Sequence, residues 1–187
     1  SRNAYLSAAE RQIAPELHRS IAAVSAQVSK GSDPAASAET AVSHVLQGKA
    51  QLLMKGSLHT DELMHAVMTV EGKGLRTERR VSHVFIMRVP SYDEVLFITD
   101  AAINIRPNLA TKVDIVQNAA DLHVALGLGI PRVAILSAVE SVTEKIPSTL
   151  EAAALCKMAD RGQITDVIID GPLAMDNAIS PEAARIK

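Results

Sequence analysis

Lys55-Gly56-Ser57-Leu58-His59-Thr60-Asp61 sets a cation, a glycine, two hydroxyls and the expected start of a helix within one short stretch of chain. That set suits an anion such as phosphate, because free backbone amides and a positive side chain converge where a helix begins. A turn in which Thr60 or Asp61 caps the next helix accounts for the same residues. The GxxxxGK[ST] spacing of a P-loop is absent. Asp100 and Asn104 flank Ala101-Ala102-Ile103 directly after an apolar run, and Asp170 and Asp176 frame Gly171-Pro172-Leu173. A carboxylate at a strand end orients a ligand or acts as a base. It also caps turns and helices, so both roles stand open. Ser137, at the end of a further apolar run, joins Asp100 and Asp170 as the candidate catalytic set. Lys55, Gly56, Ser57, His59, Thr60, Arg76 and Asn104 form the candidate substrate-binding set.

Other reactive side chains point less clearly to chemistry. Cys156 sits in Leu155-Cys156-Lys157-Met158, a helical pattern where a small buried thiol is expected. His59, His65 and His83 have no metal-ligand spacing, and no metal is expected. Arg76, Arg79 and Arg80 make a basic cluster, either a solvated surface or a face turned to an anionic ligand. The glycine pairs 72/74 and 127/129 lack the third glycine and the preceding strand of a dinucleotide fingerprint.

Four short apolar runs deliver these residues. Leu52-Leu53-Met54 runs into Lys55, Phe97-Ile98 into Thr99-Asp100, Ala134-Ile135-Leu136 into Ser137, and Val167-Ile168-Ile169 into Asp170-Gly171-Pro172. Each is followed by a helical pattern. Apolar strands alternating with helices describe a sheet covered on both faces, which binds ligands beyond the carboxyl ends of its strands. The expected fold class is therefore α/β.

Along the chain, Leu17, Ile21, Val24 and Val28 read as an early helix, broken upstream at Pro15. Asp33 as N-cap, Pro34 at the first helical position and Gly48 past the end delimit a cleaner one. Strand 50–54 and a helix over 61–70 follow. Gly72-Lys73-Gly74 marks a break, with a first lobe over 1–78 and a second over 79–187. In the second, strands are expected at 81–89, 95–98, 132–136 and 166–169, with a turn at Ser91-Tyr92-Asp93 and helices over 109–126 and around Glu151–Leu155. Ser180-Pro181-Glu182 opens a last helix.

Bulk properties fit a globular chain. It has 187 residues, 48% of them hydrophobic but only 2% aromatic, and a net charge of −2. Without aromatic platforms or a basic field, nucleic acid and acidic membranes are poor partners. One cysteine allows no internal disulfide, no apolar stretch is long enough to cross a bilayer, and a cytoplasmic location is expected. The chain starts without Met and stops in a helical turn, so it reads as a piece truncated at its C-terminus.

Five segments, LMKGSLHTDELMHAV, GLRTERRVSHVFIMRVP, LFITDAAINIRPNL, AILSAVESVTEKIPSTLEAAALCKMADRGQI and DGPLAMDNAIS, resemble the phosphate acetyl/butyryltransferase family. The resemblance runs from Gly48 to Lys187, about three quarters of the chain, and is weak before about Ala35. It looks most like the form found fused or adjacent to enoyl-CoA hydratase-type domains. It implies acyl transfer between coenzyme A, as a substrate, and inorganic phosphate, without a cofactor. It also implies three-layer α/β/α sheets in two lobes like those of isocitrate and isopropylmalate dehydrogenases, and a homodimer.

The resemblance implies that Lys55, Gly56, Ser57, His59, Thr60 and Arg76 lie on the phosphate and acyl side, with Asp100, Asn104 and Asp170 lining the cleft. Where many members carry an Arg in the helix after the hydroxyl-rich loop, this chain has Met64 or His65. The family's Ser-Arg pair and downstream Asp are expected beyond Lys187. Two rivals stand beside this reading. A dehydrogenase of the related decarboxylating fold would need a nicotinamide site and clustered aspartates. A non-catalytic module would bind coenzyme A or acyl phosphate without turnover.

Overall fold

The computed structural model describes residues 33–72 and 74–186, and the chain divides into two units, Ser1–Glu78 and Arg79–Lys187. The helix expected around Leu17 to Val28, with its break at Pro15, lies outside the described residues, as does Lys73.

In the first unit, helix α1 (Pro34–Leu46) starts and stops where its sequence dictates. Asp33 accepts a hydrogen bond from the Ala35 amide at 3.1 Å, and Pro34 has the fixed φ that suits a first helical turn. Gly48, at φ +69°, closes the far end: its amide and that of Lys49 return to the carbonyls of Val45 and His44 at 3.0 and 2.9 Å. Asp33→Ala is expected to destabilise this unit by about 1 kcal/mol in urea unfolding.

Helix α2 (Thr60–Thr69) follows, ending in a short 3-10 turn, Val70–Gly72. Ala38, Val42 and Ala66 are fully buried between α1 and α2, and Leu46, Leu53, Leu63, Val67 and Leu75 close around them. Small residues on both helices permit the close approach. The strand expected over 50–54 does not form. Leu53 packs on the core, but Met54 is 62% exposed and the segment has no ladder partner among the described residues.

The second unit begins with an antiparallel hairpin, β1 (Val84–Arg88) and β2 (Val95–Thr99), in register from Val84 opposite Thr99 to Arg88 opposite Val95. The turn between them is closed by the Tyr92 amide on the Val89 carbonyl at 3.0 Å. Helix α3 (Leu109–Ala125) is capped by Asn108, whose side chain accepts from the Thr111 amide at 2.9 Å. Strand β3 (Arg132–Leu136), helix α4 (Pro147–Asp160) and strand β4 (Ile168–Leu173) make a parallel pair with a helical crossover. Two short helices end the chain, α5 (Met175–Ile179) and α6 (Pro181–Ile186).

Val116, Leu155 and Ile164 form the buried centre of this unit, with Val113, Val133, Ile135, Met158, Val167 and Ile169 around them. One face of the parallel pair is thereby covered. On the other, Ile168 is 60% exposed, so the expected burial of both faces does not hold among the described residues. Nor are all strands parallel, because a six-residue connection joins β1 to β2 and permits only a hairpin.

The last strand is also displaced from its expected span, 166–169. Asp166 turns at φ +55° outside the strand, and the ladder runs on through Gly171 and Pro172. Asp170-Gly171-Pro172 is thus strand rather than the loop beyond it. A bulge lies there, where Ala134 pairs with Asp170 but Leu136 with Leu173. Glycine is required at the bulge: a Cβ on Gly171 would stand 2.7 Å from the Ile135 carbonyl oxygen.

Candidate functional site

The segment after β2 is organised around one carboxylate. Asp100 Oδ1 accepts from the amides of His83, Ala102 and Ile103, each at 3.2 Å. Asp100 Oδ2 accepts from the Asn104 amide at 3.0 Å and from Asn104 Nδ2 at 2.5 Å. Asn104 Nδ2 also reaches the Val81 carbonyl at 3.0 Å, and Thr99 Oγ1 donates to the His83 carbonyl at 2.7 Å. Partial burial pushes the Asp100 carboxyl up. The bonds from the Asn104 side chain and from the amides of Ala102, Ile103 and Asn104 outweigh it and hold the group below the usual carboxylate range. Asp100 and Asn104 are therefore brought together as an ionised anchor that ties the loop to the start of β1.

Ser137 and Asp170 lie on the parallel pair. The Ser137 amide bonds the Leu173 carbonyl at 2.8 Å, extending the ladder, and its hydroxyl pairs with that of Ser148 at 2.7 Å. Asp170 is exposed and accepts from its neighbour's amide, Gly171, at 2.8 Å. Asp176 lies in the first turn of α5, whose N-cap is Ala174, so it does not cap the helix. Cys156 Sγ lies 3.5 Å from the Gly171 carbonyl. Burial, followed by the nearby charges of Asp170 and Asp160, pushes this thiol up, so it stays protonated at neutral pH.

In the first unit, Lys55 folds onto its own loop, donating to the carbonyls of Gly56 at 3.1 Å and Leu58 at 2.8 Å. Gly56, Ser57, His59 and Thr60 are exposed around it. His59 is the N-cap of α2, its amide bonding Glu62 Oε2 at 3.2 Å, and Thr60 is the first helical residue. Arg76 is exposed just past the turn at Gly74 and Leu75. Of the other two arginines, Arg79 pairs with Asp121 at 2.6 Å, and the Arg80 amide bonds Asp114 at 3.1 Å.

Four polar features escaped the sequence reading. Ser148 holds the Ser137 hydroxyl. Thr149, fully buried, accepts from the Thr143 amide at 2.9 Å and lies 2.8 Å from the Thr143 and Ile146 carbonyls. Asn177 donates to Glu140 at 2.6 Å across 37 residues, and His83 supplies the amide that closes the Asp100 anchor. Pro147 at a helix start signals the hydroxyls after it. Nothing local signals the Asn177 contact. Among the described residues no group of His, Cys, Asp and Glu is arranged to hold a metal, and no helix is long and apolar enough to cross a membrane.

This mixed helix-and-sheet chain is similar in structure to phosphotransacylases. The branched-chain phosphotransacylase of Enterococcus faecalis V583 superposes with a TM-score of 0.73 at 36% identity, over 83% of this chain and 55% of that one. The phosphate acetyl/butaryl transferase family model matches residues 12–187, so the chain belongs to that family. A phosphate acetyltransferase from Rhizobium meliloti is 68% identical over 152 residues, 81% of this chain and 48% of that protein. A phosphate butyryltransferase from Clostridium acetobutylicum is 46% identical over 147 residues, 79% of this chain and 48% of that protein. The chain thus spans about half the length of these curated relatives.

Proposed function

We propose that the full-length protein is a phosphate acyltransferase that moves an acetyl or other short acyl group between coenzyme A and inorganic phosphate. The observation that carries this reading is the 68% identity to a phosphate acetyltransferase over four fifths of the chain. In the direction of thioester synthesis, the coenzyme A sulfur attacks the acyl phosphate carbonyl. The S–C bond forms, the C–O bond to phosphate breaks, phosphate leaves with the electron pair, and the thiol proton passes to solvent or a base. Such a step needs positioned donors for the developing oxyanion and cations for the phosphate. Lys55, Gly56, Ser57, His59, Thr60 and Arg76 take the phosphate side in this reading. Asp170, inside β4, and Ser137, just past the end of β3, are the candidates for thiol activation and oxyanion support. Asp100 and Asn104 position the loop that follows them.

We assign the whole protein to the two-lobe, three-layer α/β/α arrangement resembling isocitrate and isopropylmalate dehydrogenases, with 1–78 and 79–187 contributing to separate lobes. A cytoplasmic homodimer completes the proposal. The dehydrogenase and non-catalytic readings gain no support from the relatives. The test is formation of acetyl-CoA or butyryl-CoA from the matching acyl phosphate and coenzyme A by full-length protein. Turnover in seconds to minutes at micromolar enzyme is expected, and none with either substrate overturns the reading.

A further inference from the structure

Two serines from different elements meet at the carboxyl end of β3. Ser137 follows the strand, its amide bonded at 2.8 Å to the carbonyl of Leu173, the last residue of β4. Ser148 lies in the first turn of α4, and its hydroxyl oxygen stands 2.7 Å from that of Ser137. Neighbouring residues hold Ser148 in place. Pro147 has a fixed φ just before it, and Thr149 just after it is fully buried, its hydroxyl 2.8 Å from the Thr143 and Ile146 carbonyls. The pairing is therefore set by the fold, before anything binds.

Two hydroxyls carry two protons, and only one lies between the two oxygens. The second is directed outside the pair, from half-buried residues at the end of a parallel strand, where α/β sheets meet their ligands. The pair thus offers one oriented O–H donor. A hydroxyl that accepts a hydrogen bond donates more strongly, since each bond polarises the next. Resting on the acyltransferase reading above, we propose that Ser148 is a positioning residue: it donates to Ser137, whose own proton then bonds the acyl carbonyl oxygen as the coenzyme A sulfur attacks. No proton is transferred through this bond. It tightens as charge gathers on the carbonyl oxygen, so its contribution falls on the transition state rather than on substrate binding. To folding a half-buried hydroxyl pair adds little, because water replaces either partner.

The test measures kcat and KM for acetyl phosphate and coenzyme A in full-length protein and its Ser137→Ala, Ser148→Ala, Ser148→Thr and double Ser137→Ala, Ser148→Ala variants, with thermal unfolding of each. Ser137→Ala is expected to lower kcat about a hundredfold. Ser148→Ala should lower it about tenfold with KM little changed, and Ser148→Thr, which keeps the hydroxyl, should recover most of that loss. In the double variant Ser148→Ala should cost nothing beyond Ser137→Ala, because Ser148 acts only through Ser137. All forms are expected to melt together. Losses that multiply in the double variant, an unchanged kcat in either single alanine variant, or a lowered melting temperature accompanied by a loss that Ser148→Thr does not recover, each overturn the proposal and leave the acyltransferase reading standing. Absence of turnover in the unsubstituted protein overturns that reading itself.

Discussion

Leu155→Ala is expected to destabilise the second unit by about 3 kcal/mol, measured as a lowered urea midpoint in full-length protein with an unchanged slope. Leu155 is 1% exposed and lies between Val116 and Ile164, inside a ring that includes Val133, Ile135 and Ile169. Truncation removes the transfer free energy of three methyl or methylene-sized groups and leaves a cavity that α4 and the parallel strands cannot fill. Because both strands that carry the candidate residues Ser137 and Asp170 rest on that ring, acyl transfer should fall together with stability. A loss below about 1 kcal/mol would mean that this cluster is not the core of the unit.

Asp100→Ala comes second, at about 2 kcal/mol, because five donors lose their acceptor while partial exposure lets water replace some of them. Asp100→Asn should cost a comparable amount, since its amide turns a donor toward the His83 or Asn104 donors. The pH dependence fixes the charge state. The folded-state value of Asp100 lies below the ordinary carboxylate value of about 3.9. Its stabilisation is therefore fully present above that value and is lost as pH falls through the folded one. Asp121, held down despite its desolvation by Arg79 and Gln117, adds a slope of the same sign. Asp100→Asn should make the acid limb of stability against pH shallower without abolishing it. An unaltered limb in urea titrations at a series of pH values would contradict the ionised anchor.

Much of this architecture is written in local sequence. Asp33, Pro34 and Gly48 delimit α1 because an N-cap acceptor, a fixed φ and a left-handed glycine act over one turn each. The expected helix over 109–126 matches α3 to its last residue but one, and strand 132–136 matches β3. Extended segments are harder, because a strand exists only where another strand meets it. Residues 50–54 have the composition of a buried strand without a ladder, and 95–98 have it with an antiparallel neighbour. The end of β4 is set by the approach of Ile135 to Gly171, a contact between segments 36 residues apart.

The candidate site was legible in position more than in role. Asp100 after its apolar run marks a strand end correctly, whereas Asp170 after its own lies inside β4, and the five bonds that fill the Asp100 oxygens come from residues 83 and 102–104 and have no motif.

Phosphorus NMR of full-length protein incubated with acetyl-CoA or butyryl-CoA and inorganic phosphate tests the central claim most directly. The acyltransferase account predicts an acyl phosphate resonance that grows as inorganic phosphate declines, matched mole for mole by free coenzyme A thiol. Thioester loss that leaves inorganic phosphate undiminished, or no reaction with either thioester, would contradict it.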